Sequence, residues 1–125
     1  MALSRKYIVV GNNRHPVRVE KIQLDWQADA SGAIADTSIV LSGYLVQAIT
    51  YPGATAPTDL YDIVVNHASG VDLAQSQLAN QSSTTAKLTR FSTPSLCEGT
   101  CTIKISGNIV ANAQGTLILY LADRA

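Results

Sequence analysis

The residues of this 125-residue chain best suited to metal or redox chemistry are two cysteines and two histidines. Cys97 and Cys101 enclose three residues, and this pair supplies at most half of a zinc site. His15 and His67 lie far from them in sequence, so no metal site is predicted. A disulfide needs Cα atoms within about 7 Å, and a reducing cytoplasm opposes it during synthesis. We expect free or late-oxidising thiols beside a hairpin turn, and whether they form a disulfide stays open.

Three aspartates fall close together in sequence and could offer oxygen ligands to a hard cation. Asp59 lies in an expected loop, Asp62 in an expected strand, and Asp72 after a Gly turn. They lack the short, regular spacing of a calcium-binding loop. We therefore expect them to form turns and cap backbone N–H groups rather than bind a metal.

No motif of enzymatic chemistry occurs in the chain. It contains no Gly-rich phosphate loop, no Ser-centred nucleophile elbow and no zinc-protease helix motif. We predict that the protein is not an enzyme and holds no cofactor. A hydrolase would instead require His15 or His67 within hydrogen-bond reach of a Ser or Asp in a cleft. A carbohydrate-binding β-sandwich would require Trp26 and tyrosines exposed on one face.

The composition indicates a neutral surface that is suited to contact with other molecules. The chain is 46% hydrophobic and 14% charged, and its nine basic and nine acidic residues give zero formal net charge. Neutral polar groups are less costly to desolvate than unpaired charges. The charge balance opposes nucleic-acid binding, and no apolar run is long enough for a membrane helix. With no signal-type segment at its start, the chain is expected to be synthesised in a cytoplasm.

The elements that must position these residues are β-strands. Runs of β-branched and apolar residues, separated by Gly, Pro and Asn turns, predict about seven or eight strands. The main runs are residues 7–10, 17–26, 38–51, 61–66, 84–91, 101–106 and 116–121. The last two strands are expected to form a hairpin. We therefore predict an all-β fold, a β-sandwich or jelly roll with one short helix, as a single domain over residues 1–125; a closed barrel is the alternative.

Three local irregularities are predicted within this pattern. The alternation of residues 17–26 changes phase at Glu20 and Lys21, which predicts a β-bulge. Gly43 predicts a kink or bulge inside the long third strand. Asp72 is expected to cap one or two helical turns over residues 72–79.

The middle of the chain resembles small structural proteins of tailed bacteriophages. The resemblance is best over residues 56–82 and looser over 17–90. It includes a loop with Pro57, a strand beginning Tyr61-Asp62, a Gly-x-Asp turn at residues 70–72, and the Leu-Ala-Asn segment 78–80. Among such proteins, this size and fold class are most similar to capsid cement or decoration proteins, several of which are jelly rolls that dimerise or trimerise on the head.

This resemblance implies a virion protein on the capsid exterior that clamps neighbouring subunits of the major capsid protein and associates with itself as a homodimer or homotrimer. A head-to-tail, collar or tail component is the alternative, and a carbohydrate-binding β-sandwich is a further one. An open sheet edge would let an extended capsid segment add as a strand. The first candidate for such an edge is Tyr7, Ile8, Val9 and Val10. Residues 1–16 form either an arm onto a partner or an ordinary first strand.

Overall fold

The structure is a computed structural model that describes residues 2–10 and 17–123. These residues form six strands: β1 (Ala2–Val10), β2 (Val17–Gln27), β3 (Thr37–Pro52), β4 (Asp62–His67), β5 (Lys87–Ser106) and β6 (Gln114–Ala122). All pairings are antiparallel, in a single sheet of order β1-β2-β6-β3-β5-β4. The all-β class is confirmed. The described residues form six strands rather than seven or eight because the runs 84–91 and 101–106 both contribute to β5. All six strands belong to one sheet, whereas a sandwich has two.

The sheet curls so that its distant parts enclose one hydrophobic cluster. Buried side chains of β2 to β6 belong to that cluster. Trp26 at the end of β2 meets Tyr61, which directly precedes β4, edge to face with ring centroids 5.5 Å apart. These two strands are separated by three others in the sheet order. A curled sheet therefore supplies both sides of its own core, as two layers do in a sandwich.

The bulge predicted at Glu20 and Lys21 is wrong. β2 keeps an uninterrupted register with β1 and with β6 over its described length. Glu20 lies on the same face as Ile22 and Leu24, so it is a buried acid at an inward position. Lys21 points to the opposite face. The apparent change of phase arises because Glu20 is charged yet occupies an inward position, where Arg5 pairs with it.

The long strand β3 has the predicted irregularity, in a different form. Gly43 has φ +128°, and an added Cβ would lie 2.8 Å from the carbonyl oxygen of Ala122. The register with β5 and β6 nevertheless continues through Gly43 and shifts between Leu45 and Gln47. Against β6, Val46 is the extra residue, three positions after the glycine, whereas against β5 the extra residues belong to β5, where residues 91–94 lie opposite Val46.

The predicted C-terminal hairpin is wrong because β6 pairs with β2 and β3 and not with β5. β6 is apolar on both faces, with Leu117, Leu119 and Leu121 inward and Ile118 outward, all buried. Such a strand is stabilised in the middle of a sheet rather than at its end. Residues 92–100, which separate two of the predicted strands, are part of β5.

The predicted short helix is a series of tight turns. Backbone N–H groups of Gln75, Gln77 and Ala79 bond three residues back, and both Gln75 and Ser76 have positive φ. A right-handed helix cannot continue through residues in the left-handed region. Asp72 does act as a cap, because its carboxylate accepts N–H bonds from Ala74 and Ser76. The described part of the chain contains no helix able to cross a membrane.

Candidate interaction surface

The two edges of the sheet differ in whether their backbone groups are already paired. On β4, the outward N–H groups of Ile63, Val65 and His67 bond to the loop of residues 71–78 at 2.8–3.0 Å. On β1, the described residues pair only with β2. An unprotected edge is a template for another strand. The nine-residue outer edge of β1 is therefore the open edge of this sheet among the residues described.

The four residues predicted to bind a partner all lie in β1. Tyr7 and Val9 point toward the inner face of the sheet, yet Val9 is 72% exposed because the core ends before β1. Ile8 and Val10 point to the opposite, outer face, and Ile8 is half-buried. Leu3, on the inner face, is also exposed. Both faces of the open edge thus present apolar side chains to solvent.

An ion pair between an exposed arginine and a buried glutamate joins β1 to the sheet. Arg5 donates two hydrogen bonds to Glu20, from Nε to Oε2 at 2.9 Å and from Nη2 to Oε1 at 2.7 Å. Glu20 is only 4% exposed, and the hydrogen bond to it raises the pKa of Arg5 above its ordinary value. The guanidinium of Arg18 lies 4.2 Å above the ring of Tyr7, a cation–π contact. β1 is therefore anchored by side chains as well as by its ladder.

A shallow apolar groove continues from β1 across the outer face of the sheet. It has a volume of about 320 Å³. Its lining residues are Ile8, Val10, Val19, Val46, Gln47 and Tyr120. The predicted bulge at Glu20 and Lys21 placed Val19 on the inner face of β2. In the observed register Val19 faces outward, so the predicted pattern did not indicate this groove. If Glu20 is counted as an inward residue, the alternation of β2 is regular and predicts that Val19 lies on the outer face.

Both cysteines are buried in β5 and carry free thiols. The Sγ of Cys97 donates to the carbonyl of Ser95 at 3.6 Å, and that of Cys101 donates to Gly99 at 3.8 Å. Burial raises the pKa of Cys97 to about 11 and also raises that of Cys101. These thiols are core groups of low reactivity rather than groups beside a hairpin turn.

All three aspartates accept backbone N–H bonds, but only Asp72 does so within its own turn, as predicted. Asp59 accepts bonds from the N–H and hydroxyl of Ser83, and Asp62 accepts the N–H of Asn80. Asp72 caps the turns described above. Among residues 2–10 and 17–123, no three acidic, histidine or cysteine side chains are grouped as metal ligands.

His67 has neighbours of the kind found in hydrolytic triads. Its Nδ1 lies 2.9 Å from Ser69 Oγ and accepts the Ser69 N–H at 3.1 Å, and its Nε2 lies 3.2 Å from Glu98. Ser69 is two residues away in the same turn, and both Ser69 and Glu98 are exposed. His67 is not among the residues that line the cavities beside Trp26, Glu20 and Ile8. This arrangement stabilises the turn. His15 lies outside the described residues.

Trp26 is a core residue rather than part of an exposed aromatic face. It is 2% exposed, and its ring lies directly against Gly115 and Tyr61. Its Nε1 and the hydroxyl of Tyr61 find no hydrogen-bond partner among the described residues. Desolvation raises the pKa of Tyr61 to about 12. Trp26 therefore does not provide the exposed indole ring that a sugar-binding face requires.

A scan against protein-family models gave no match to this chain, and a search of curated proteins also found no significant match.

Proposed function

We propose that this chain is a capsid cement or decoration protein of a tailed bacteriophage, which binds the capsid exterior and clamps neighbouring major capsid subunits. In this proposal the curled sheet serves as the β-sandwich or jelly roll of such proteins, and the chain acts as a homodimer or homotrimer. The observation that carries the proposal is the asymmetry of the sheet edges: β4 is covered by its own loop and β1 is open.

The open edge supports a binding role for a physical reason. Soluble proteins protect long sheet edges with charge, proline or a covering loop, because open edges aggregate. β1 extends over nine described residues and contains no proline; its charged residues are Arg5 and Lys6, and it exposes Leu3, Tyr7 and Val9. An extended segment of a capsid subunit would gain backbone hydrogen bonds along β1 and cover these side chains. Many copies bound only to the mature lattice would add to its stability.

The alternatives fit these observations less well. A sugar-binding face needs exposed aromatic side chains beside polar groups, and Trp26 is buried. A hydrolase needs its histidine in a cleft, and the contacts of His67 lie in an exposed turn. A connector, collar or tail component would use the same open edge, so only the position of the chain in the particle distinguishes that role from the role of a cement protein.

Cryo-electron microscopy of the particle tests the location directly. Density that repeats over the local symmetry axes of the head is expected for a cement protein. Density confined to one vertex or to the tail would assign the chain to the connector or tail apparatus. Absence from the particle would contradict the virion role.

The edge itself is tested by adding purified variants to expanded shells that lack the protein. Tyr7→Thr with Val9→Thr removes exposed apolar groups from β1 while keeping β-propensity. We expect at least tenfold weaker binding, because each buried methylene contributes roughly 0.8 kcal/mol. Val40→Thr with Ile109→Thr is the matched control, since both residues are exposed elsewhere on the surface.

Equal binding by the two double variants would show that β1 is not the contact. Deletion of residues 1–6 tests the arm hypothesis separately. Unchanged shell occupancy after this deletion would rule out an arm, although residues 7–10 would still be available as an edge.

A further inference from the structure

We infer that the partner strand at β1 is an extended acidic segment, with a carboxylate side chain two residues from an apolar one on the same face. This inference rests on the proposed role of β1 and adds the chemistry of its partner. It depends on two features of the outer face: a pair of lysines without acidic partners, and the apolar groove beside them.

The lysines lie opposite each other across the β1–β2 ladder. Lys6 pairs in register with Lys21, so both side chains project from the outer face. Like charges directly opposite each other in an antiparallel pair are destabilising. The ion pairs among the described residues are Arg5–Glu20, His67–Glu98 and Lys104–Asp36, so neither Lys6 nor Lys21 has a partner there. A carboxylate on a strand added to the open side of β1 would lie next to Lys6, with Lys21 on the other side of Lys6, and would offset this repulsion.

The groove fixes where the apolar side chain must be. Lys6 and Ile8 are successive outer-face residues of β1, and side chains on one face of a strand recur every second residue, about 6.6 Å apart. The groove begins at Ile8 and continues over Val19 to Tyr120. A strand added to β1 would therefore place its acidic residue near Lys6 and its apolar residue, two positions away, over the mouth of the groove.

Charge complementarity also argues against a second copy of this chain as the occupant. β1 contains Arg5 and Lys6 and no acidic residue. A twofold pairing of β1 with β1 of a second copy, centred on Lys6, would bring four lysines together with no carboxylate. If the twofold pairing is centred on Ile8 instead, fewer residues of the two β1 strands pair, and the pairing still contains no acidic side chain. Self-association of the protein therefore uses another surface, and β1 serves a different chain.

The test is selection of binding peptides on the immobilised full-length chain. The probe is an mRNA-displayed library of random 12-residue peptides, panned on wild type and on Lys6→Glu with Lys21→Glu. Lys87→Glu with Lys104→Glu is the matched control, because it changes the net charge equally on β5. We expect wild type and control to enrich Asp or Glu two positions from Val, Ile or Leu. The charge-reversed variant should select Lys or Arg instead.

The enriched peptide should bind wild type about tenfold more tightly than the charge-reversed variant, since two surface ion pairs contribute roughly this much. Its amide chemical-shift changes in the ¹⁵N-labelled chain should be centred on β1. Identical peptides from all three baits, no acidic enrichment on wild type, or shifts centred on β4 would each overturn the inference.

The two proposals fail in different ways. Peptide selection uses no capsid, so an acidic preference without binding to shells would remove the capsid role and keep the inference. Shell binding that is unaffected by Lys6→Glu with Lys21→Glu would keep the capsid role and remove the inference.

Discussion

At the scale of single residues, the pairing of Glu20 with Arg5 decides how β1 is held. Glu20 occupies an inward position of β2, on the face that Ile22 and Leu24 bury in the core. A buried acid in that position is stable only with a cation and good hydrogen-bond geometry. Arg5 supplies both from the edge strand. The interaction therefore links the stability of the sheet to the presence of β1.

Substitution of Arg5 should lower the free energy of unfolding more than the loss of an ion pair in which both side chains are exposed. Arg5→Met leaves Glu20 buried without a partner, and because water reaches the exposed Arg5 side of the pair, we expect the free energy of unfolding to fall by about 2 kcal/mol. Lys104→Met, which breaks the exposed pair with Asp36, should change it by less than about 1 kcal/mol. Urea denaturation measures both. Adding Glu20→Leu to Arg5→Met should restore much of the loss, and equal effects of the two single variants would contradict the burial of Glu20.

At the scale of elements, the packing of β2 against β6 depends on one glycine. Gly115 pairs in register with Trp26, and the indole ring covers its Cα. An added Cβ would lie 2.3 Å from Cζ2 of Trp26, much closer than atoms can pack. Because Tyr61 and the rest of the core surround the ring, it has little room to move. Gly115 thus fixes the position of the ring that meets Tyr61 from the opposite part of the curled sheet.

Gly115→Ala should therefore destabilise the fold by about 2–3 kcal/mol through overpacking. A double-mutant cycle with Trp26→Phe, measured by urea denaturation, isolates the contact. The smaller phenylalanine ring leaves space for the new methyl group, so Gly115→Ala should cost less when Trp26→Phe is already present. Additive effects of the two substitutions would show that the cost does not arise from this contact.

At the scale of the whole molecule, the buried thiols report how often the sheet opens. With the pKa of Cys97 at about 11, only about one native thiol in a thousand is ionised at pH 8. Both cysteines are also inaccessible, with exposures of 0% and 1%. Reaction with a thiol reagent must then proceed through unfolding of β5, which lies inside the sheet between β3 and β4.

We expect Ellman's reagent at pH 8 to label native protein far more slowly than protein in 6 M guanidinium, where two thiols per chain should react at once. Arg5→Met should accelerate the native reaction by the factor by which it raises the unfolding equilibrium constant, because reaction from the open state follows that equilibrium. Immediate labelling of both thiols in native protein would contradict their burial in the sheet.

The sequence by itself determined the class of fold and the places where strands occur. Short runs of β-branched residues between Gly, Pro and Asn turns cannot form long helices, so the all-β prediction follows from local chemistry. The cap formed by Asp72 was also predictable, since a carboxylate in a turn accepts nearby N–H groups. The candidate edge at residues 7–10 was visible as an apolar run near the start of the chain.

Only the tertiary structure decided which strands are neighbours, and therefore which edge is open. The inward position of Glu20 depends on Arg5, 15 residues earlier, and the position of β6 between β2 and β3 depends on burial of both its faces. Left-handed residues at 75 and 76 replaced the predicted helix with turns, which bring Leu78 and Val71 to cover β4. Alternation along one strand records which face is buried, but pairing between strands depends on contacts between residues far apart in sequence, which no local pattern contains.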